Sequence, residues 1–236
     1  LEDYTGHKCQ GCPAAHDEAT TIQNTVGHRL VIMALHVGFW ATTNSSGSLF
    51  TYDFENQTGL DLYGALIPSS QAFPTGTINR KMYGTNRAVI YAEWGNKVNQ
   101  ILQESADASM KVTTSFNSAT RVISAHVKTT FLDNLTGDVS LAVYYTEDSI
   151  INWQAFPSPT GNQPDYVHRR VLRGALTSTW GTVIATNPVY GFSISGTVTG
   201  TPIAADINTE HVHVIAVLSD NVTKEVIQAE EVQLNP

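Results

Sequence analysis

The sequence predicts an α/β domain followed by an all-β domain built as an antiparallel sandwich, and three observations carry that division. Residues 1–105 set short apolar runs between helix-like stretches, whereas residues 106–236 are dominated by apolar–polar alternation with a period of two. The only two cysteines, Cys9 and Cys12, stand as Cys-x-x-Cys directly ahead of a helix-like stretch. A chain of 236 residues, 42% hydrophobic and 14% charged, is long enough to bury two separate cores.

Taken in order, Leu1 to Tyr4 forms a short strand, and Thr5-Gly6 turns the chain into the heptapeptide His7-Lys8-Cys9-Gln10-Gly11-Cys12-Pro13. Pro13 to Val26 reads as a helix, with proline at its first position, acids in its first turn and a stop at Gly27. Pro13 has no N–H to give, so the helix starts at Cys12 or Pro13 rather than at Cys9. The continuous apolar run from Arg29 to His36 is a strand covered on both faces. Strand, cysteine turn, helix and buried strand make the first half of a βαβ unit.

Residues 41–63 break that rhythm. Asn44 to Ser48 is a loop, Phe50, Tyr52 and Phe54 alternate, and a short helix is expected over Asp61 to Ile67. Phe73-Pro74-Thr75-Gly76 then leads into Thr77 to Arg80. Tyr91 to Glu104 places Trp94, Val98, Ile101 and Leu102 at helical spacing and closes the first domain at about residue 105.

From Ser109 the period changes. Alternating runs begin at Met110, Val122 and Val139, and others cover Tyr190 to Val198, His211 to Leu218 and Glu225 to Leu234. Turns at Asn117-Ser-Ala, Asn134-Leu-Thr-Gly and Asp220-Asn-Val-Thr punctuate them. This spacing predicts an immunoglobulin-like sandwich over residues 106–236. Asp148 to Gly181 fits less well: Trp153, Tyr166 and Trp180, with Arg169, Arg170 and Arg173, read as a long structured excursion.

Charge narrows the partners. Before residue 105 there are 6 basic and 9 acidic residues, and 7 and 12 after it, so both halves are mildly acidic within a net charge of −8. No basic patch is available to follow a phosphate backbone, and nucleic acid is excluded as an expected partner. No run of 18 apolar residues exists to span a bilayer as a helix. The start at Leu1, without methionine, and the low Lys with abundant Thr, Ser, Asn and Gly suit an exported chain whose signal or anchor segment is missing. The expected tie to a membrane is that N-terminal anchor alone. Sequons at Asn44, Asn56, Asn134 and Asn221 carry little weight in a chain this rich in Asn and Thr.

Two features resemble the thioredoxin superfamily: Cys9-x-x-Cys12 between a strand end and a helix start, and Phe73-Pro74-Thr75 ahead of a strand, where that superfamily has its cis-proline loop. The resemblance covers roughly residues 1–105 and implies a cis bond before Pro74, with the loop lying against the cysteine pair. It departs from the thioredoxin pattern in having Lys8 before the pair and Gln10-Gly11 within it, and no counterpart of the buried acid under the second cysteine stands out. A narrower resemblance spans nearly the whole chain. Glu2 to Ala15, Tyr166 to Gly174 and Lys224 to Leu234 look like the twenty-eight-kilodalton outer-membrane protein family of anaerobic Gram-negative bacteria. It implies an exported, lipid-anchored protein of the outer membrane or cell envelope, with a proposed role as surface adhesin or receptor.

The cysteine pair admits three readings. In the first, Cys9 attacks a partner disulfide and Cys12 resolves the mixed disulfide, with Phe73, Pro74 and Thr75 as the peptide rest. A helix N-terminus favours thiolate, and positive charge on His7 and Lys8 would lower the Cys9 pKa further. That makes the protein a thiol–disulfide oxidoreductase acting on exported proteins without a cofactor. In the second, the pair is a permanent bridge in a non-catalytic surface binding protein. In the third, His7, Cys9, Cys12 and His16 hold a metal. Elsewhere, His36 reads as a satisfied interior histidine, and His126, His211 and His213 as sandwich surface. Arg169, Arg170 and Arg173 are cations able to dock an acidic partner but more often paired with Glu147, Asp148 or Asp165.

Overall fold

The computed structural model describes residues 1–69 and 71–235. In chain order its strands and helices are β1 (Glu2–Thr5), α1 (Cys12–Val26), β2 (Met33–His36), α2 (Gln57–Leu66), β3 (Thr75–Thr77), β4 (Val89–Ile90), α3 (Trp94–Ile101), β5 (Ala108–Asn117), β6 (Val122–Phe131), β7 (Asp138–Glu147), β8 (Ile150–Gln154), β9 (Gln163–His168), β10 (Val171–Ala175), β11 (Thr182–Thr186), β12 (Ser193–Pro202), β13 (Val212–Asp220) and β14 (Val226–Gln233). The chain is rich in sheet, and among the described residues the α-helices fall in its first part. It divides into two compact units, one of Leu1–Gln103 with Asp148–Arg173, the other of Glu104–Glu147 with Gly174–Pro236. The division at residue 105 therefore differs from the structure in one respect: Asp148–Arg173 folds with the first unit rather than with residues 106–236.

In the first unit β1 pairs in parallel with β2 and antiparallel with β3, and β3 pairs antiparallel with β4. Helix α1 begins at Cys12 with Pro13 in its first turn, and it buries Cys12, Ala15, Ala19, Ile22 and Val26, one stripe at helical spacing. Gly27 ends it at φ 65°, a left-handed value that glycine adopts freely. Asp17 and Glu18 fall beyond its first turn, which holds no acid, contrary to the expectation from sequence. The apolar run from Arg29 is a strand only from Met33, because Gly27–Arg29 form a 3-10 turn first. Helix α2 starts at Gln57, four residues ahead of the expected Asp61, because the Asn56 side chain accepts the Gly59 N–H at 3.0 Å and caps it. Tyr91–Glu93 form a 3-10 turn, so α3 is shorter than the expected 91–104. It buries Trp94, whose indole N–H donates to the Val89 carbonyl at 2.9 Å.

Strands β8 and β9 form an antiparallel hairpin that belongs to this unit. The peptide bonds before Pro74 and Pro159 are cis, the first as the thioredoxin resemblance implies.

In the second unit β5, β6 and β12 form one antiparallel sheet, and β14, β13, β7 and β11 pair antiparallel in that order. Val112, Ile123, Ala125 and Val127 from the first sheet share one apolar core with Leu141, Val143, Val212, Val214 and Ala216 from the second. The alternation read from sequence is kept in β5 and β6, whereas β7 and β13 are buried along nearly their whole length, as central strands are. Strand β11 has no counterpart in the sequence reading.

Candidate functional site

Strand β1 organises the candidate site, because alternate side chains leave it on opposite faces of the sheet. Glu2 lies on one face, where Arg80 Nη2 and Nε donate to Glu2 Oε1 at 2.6 and 2.8 Å and the Thr77 hydroxyl donates to Oε2 at 2.7 Å. Burial alone would raise the Glu2 pKa; the Arg80 charge and these hydrogen bonds outweigh it and hold the group below the usual carboxylate range. Asp3 lies on the other face and has no such support. It is 1% exposed, its Oδ1 has no hydrogen-bond partner among the described residues, and its Oδ2 stands 3.5 Å from His16 Nε2. Desolvation pushes its pKa up to about 8.

His16 sits one turn into α1 and is held on both ring nitrogens. Nε2 meets the Thr5 hydroxyl at 2.9 Å, and Nδ1 meets the Tyr166 hydroxyl, on β9, at 2.7 Å. Burial lowers its pKa to about 4 and raises that of Tyr166, so the ring is neutral and the phenol protonated. A neutral imidazole offers one donor and one acceptor. Both are used when Tyr166 donates to Nδ1 and Nε2–H donates to Thr5.

Cys9 and Cys12 form a disulfide with Cα atoms 5.4 Å apart at the start of α1. Cys9 is 3% exposed and Cys12 fully buried. The loop before them is fixed by Lys8 N–H on the Trp40 carbonyl and Cys9 N–H on the Gly6 carbonyl, each at 3.0 Å. A Cβ at Gly6 would stand 2.4 Å from the Trp40 backbone, so this approach requires glycine. The β8–β9 hairpin fastens the same loop: Gln154 Nε2 donates to the Cys9 carbonyl at 2.9 Å and Ala155 N–H to the His7 carbonyl at 2.8 Å.

Of the expected peptide rest, Pro74 abuts the cysteine loop, its Cδ 3.3 Å from where a Gly11 Cβ would stand. Thr75 opens β3 opposite Tyr4, and Phe73 packs edge-on to Tyr63 at 5.7 Å. Lys8 is directed to the Thr42 hydroxyl at 3.1 Å. The expected positive charge on His7 is corrected: its side chain is buried between Phe50 and Phe54, and desolvation lowers its pKa, so it is neutral beside Cys9. His7, Cys9, Cys12 and His16 do not converge as ligands. The two sulfurs bind one another, His7 faces the Thr42 carbonyl, and His16 faces Thr5 and Tyr166. Among the described residues no three His, Cys, Asp or Glu side chains form a metal-sized group.

Behind the disulfide the sequence reading missed a buried ring cluster. Phe54 stacks on His36 at 4.5 Å and meets His168 at 4.6 Å, and His168 meets Tyr166 at 4.9 Å. Burial lowers His168 to about 3 and His36 well below its usual value. His36 is interior, as expected, but not satisfied: neither ring nitrogen has a hydrogen-bond partner among the described residues. Asp3 was also missed, although a signal existed in its place six residues before Cys9, on a strand leading into the pair. The arginines separate: Arg169 pairs loosely with Asp148 at 3.8 Å, and Arg173 Nη1 donates to the Tyr52 hydroxyl at 2.7 Å. His126, His211 and His213 stay apart, on Thr197, Asn208 and Glu231 respectively.

Fold and site together define a sheet-rich protein of two units whose one disulfide lies buried at a helix start in the first. The family described as outer membrane protein Omp28 matches residues 67–236, and the chain belongs to that family. Its place is accordingly the outer membrane and cell envelope. The matched region holds Pro74, Tyr166, Arg169 and Arg170; the cysteine pair precedes it. A crystal structure of a domain of the outer membrane lipoprotein Omp28 from Porphyromonas gingivalis aligns at 20% identity with a TM-score of 0.37, covering 56% of this chain and 92% of that one. Two crystal structures of β-glucosidase from Kluyveromyces marxianus, one in complex with glucose, align at 12% and 11% identity with TM-scores of 0.25, covering 63% of this chain and 18% of each of those. At such TM-scores none of the three carries an inference about fold or activity. No curated protein matches the chain. No helix among the described residues is long and apolar enough to cross a membrane.

Proposed function

We propose that this is a lipid-anchored envelope protein whose thioredoxin-like first unit exchanges disulfides with exported proteins, and whose second unit is an immunoglobulin-like sandwich. The observation that carries the reading is the meeting of Pro74 with the loop between Cys9 and Cys12, at 3.3 Å from the Gly11 Cβ position. The order β1-α1-β2-α2-β3-β4-α3 and the buried, protonated Asp3 ahead of the pair support it. In the oxidising direction a partner thiolate attacks Cys9 Sγ, the Cys9–Cys12 bond breaks, and Cys12 leaves as thiolate and takes up a proton. A second partner thiolate displaces Cys9, leaving the partner a disulfide and this pair a dithiol. In the reducing direction Cys9 is the nucleophile and Cys12 the resolver.

A second reading has its own support in burial. Cys9 at 3% exposure, fastened through its carbonyl to Gln154, suits a structural bridge in a surface adhesin or receptor. The reduction potential of the pair decides between them. Exchange expects a value between about −120 and −270 mV, together with mixed disulfides trapped on exported proteins through Cys9 in a Cys12→Ser variant. A value below about −300 mV with no trapped adduct assigns the bridge and overturns the exchange reading.

A further inference from the structure

Strand β12 ends its sheet. Among the described residues it pairs only with β6, so no strand lies along its outer side. We infer that this edge is an interface between two copies of the chain, paired antiparallel about a two-fold axis at Gly196. The pairing joins the two three-stranded sheets into one. It is independent of whether Cys9 and Cys12 exchange.

Three features carry it. The first is that the edge is bare. Exposed strand edges are usually protected by charge, by proline within the strand or by a covering element. At the opposite side of this sheet β5 carries Lys111, and the Gln228 side chain donates to the Ala108 carbonyl at 2.9 Å. Over residues 193–201 β12 has neither a charge nor a proline, in a chain of net charge −8. Its register with β6 is regular from Ser193 to Thr199, a run centred on Gly196.

The second is that the strand is complementary to itself. Antiparallel pairing about Gly196 sets Ser193 opposite Thr199 and Ser195 opposite Thr197 on one face, and Ile194 opposite Val198 on the other. Cross-strand hydroxyl pairs stabilise sheets. Strand β12 already makes them with β6: Ser193 meets Thr130 at 2.8 Å and Thr199 meets Ser124 at 2.9 Å. At the axis nothing lies within 4 Å of the Gly196 Cβ position, so no side chain holds a second backbone away.

The third is apolar surface at both ends of the strand. Val189, Tyr190 and Phe192, which lead into β12, are exposed. So are Pro202, Ala204 and Ala205 at its far end. Two-fold symmetry brings each end of one copy beside the opposite end of the other, so Tyr190 comes to Pro202 and the patches cover one another. One ladder with two end patches is a small interface, so the dimer is reversible rather than permanent.

Sedimentation velocity of the full chain tests this. A monomer–dimer equilibrium is expected, with a Kd of about 100 µM or tighter. Combining Ser195→Glu with Thr197→Glu sets like charges opposite one another across the seam. Within each copy these positions lie opposite Lys128 and His126, so the fold is spared. This variant is expected to dimerise at least about tenfold more weakly. Gly196→Cys places two thiols at the axis, where paired Cα atoms stand ~4.5–5.5 Å apart, within disulfide range. With oxidised glutathione it is expected to cross-link at least about tenfold faster than Thr113→Cys, a control at an exposed position of β5. The inference is overturned if the chain stays monomeric up to about 500 µM, if the glutamate variant dimerises as tightly as the parent, or if Gly196→Cys cross-links no faster than Thr113→Cys.

Discussion

Asp3 and His16 face each other at 3.5 Å, one from β1 and one from α1, and both are neutral near pH 7. Burial drives the two in opposite directions: the acid is pushed up to about 8 and the imidazole down to about 4. The neutrality follows from burial rather than from a counter-ion.

Acid lability of the first unit follows from its histidines. A histidine whose folded pKa is lowered contributes stability present above its unfolded value, near 6.5, and lost as pH falls towards the folded value. For His16 that window runs from 6.5 to about 4, and for His168 from 6.5 to about 3. Each removes on the order of 1 kcal/mol per pH unit within its window. Asp3 works the other way: its raised pKa gives stability that is full below 3.8 and lost as pH rises through about 8. Several histidines outnumber one acid, so the melting temperature of the first unit is expected to fall between pH 7 and pH 5. An unchanged melting temperature across that interval would refute the neutral cluster.

The Glu2–Arg80 pair is buried on both sides, and breaking it strands a carboxylate. Arg80→Met is expected to destabilise the first unit by about 3–5 kcal/mol in urea unfolding at neutral pH. The loss is expected to shrink as pH falls and Glu2 takes up a proton; a cost independent of pH would assign the effect to packing instead.

Gly76 lies where β3 crosses the Trp94 indole. A Cβ there would come within 2.7 Å of that ring and 2.9 Å of the Glu2 carbonyl. Gly76→Ala is expected to cost about 1–3 kcal/mol through overpacking, read by chemical denaturation. Pairing it with Trp94→Phe, which shortens the ring, is expected to recover part of the loss; strict additivity would break the assignment.

What was legible in sequence was local. The period-two runs of β5 and β6 and the helix of α1 opened by Pro13 and closed by Gly27 are encoded within a few residues, and each is present. What was missed is long-range. Tyr166 reaches His16 across 150 residues and Gln154 reaches Cys9 across 145, and no pattern near either partner announces the contact. Asp3 went unrecognised because a single acid at a strand position shows its environment only once both faces of the strand are known. The neutral state of His7 was hidden for the same reason, since Phe50 and Phe54 enclose it from a loop that looked irregular.

The hairpin of β8 and β9 has a consequence for the order in which the molecule is made. The first unit takes in, as well as Leu1–Gln103, residues 148–173, which follow β5, β6 and β7 in the chain. During export the cysteine loop therefore emerges long before Gln154 and Ala155 arrive to fasten it, and His16 before Tyr166. The contact that fastens the cysteine loop is thus supplied by a stretch of chain that follows it by more than a hundred residues.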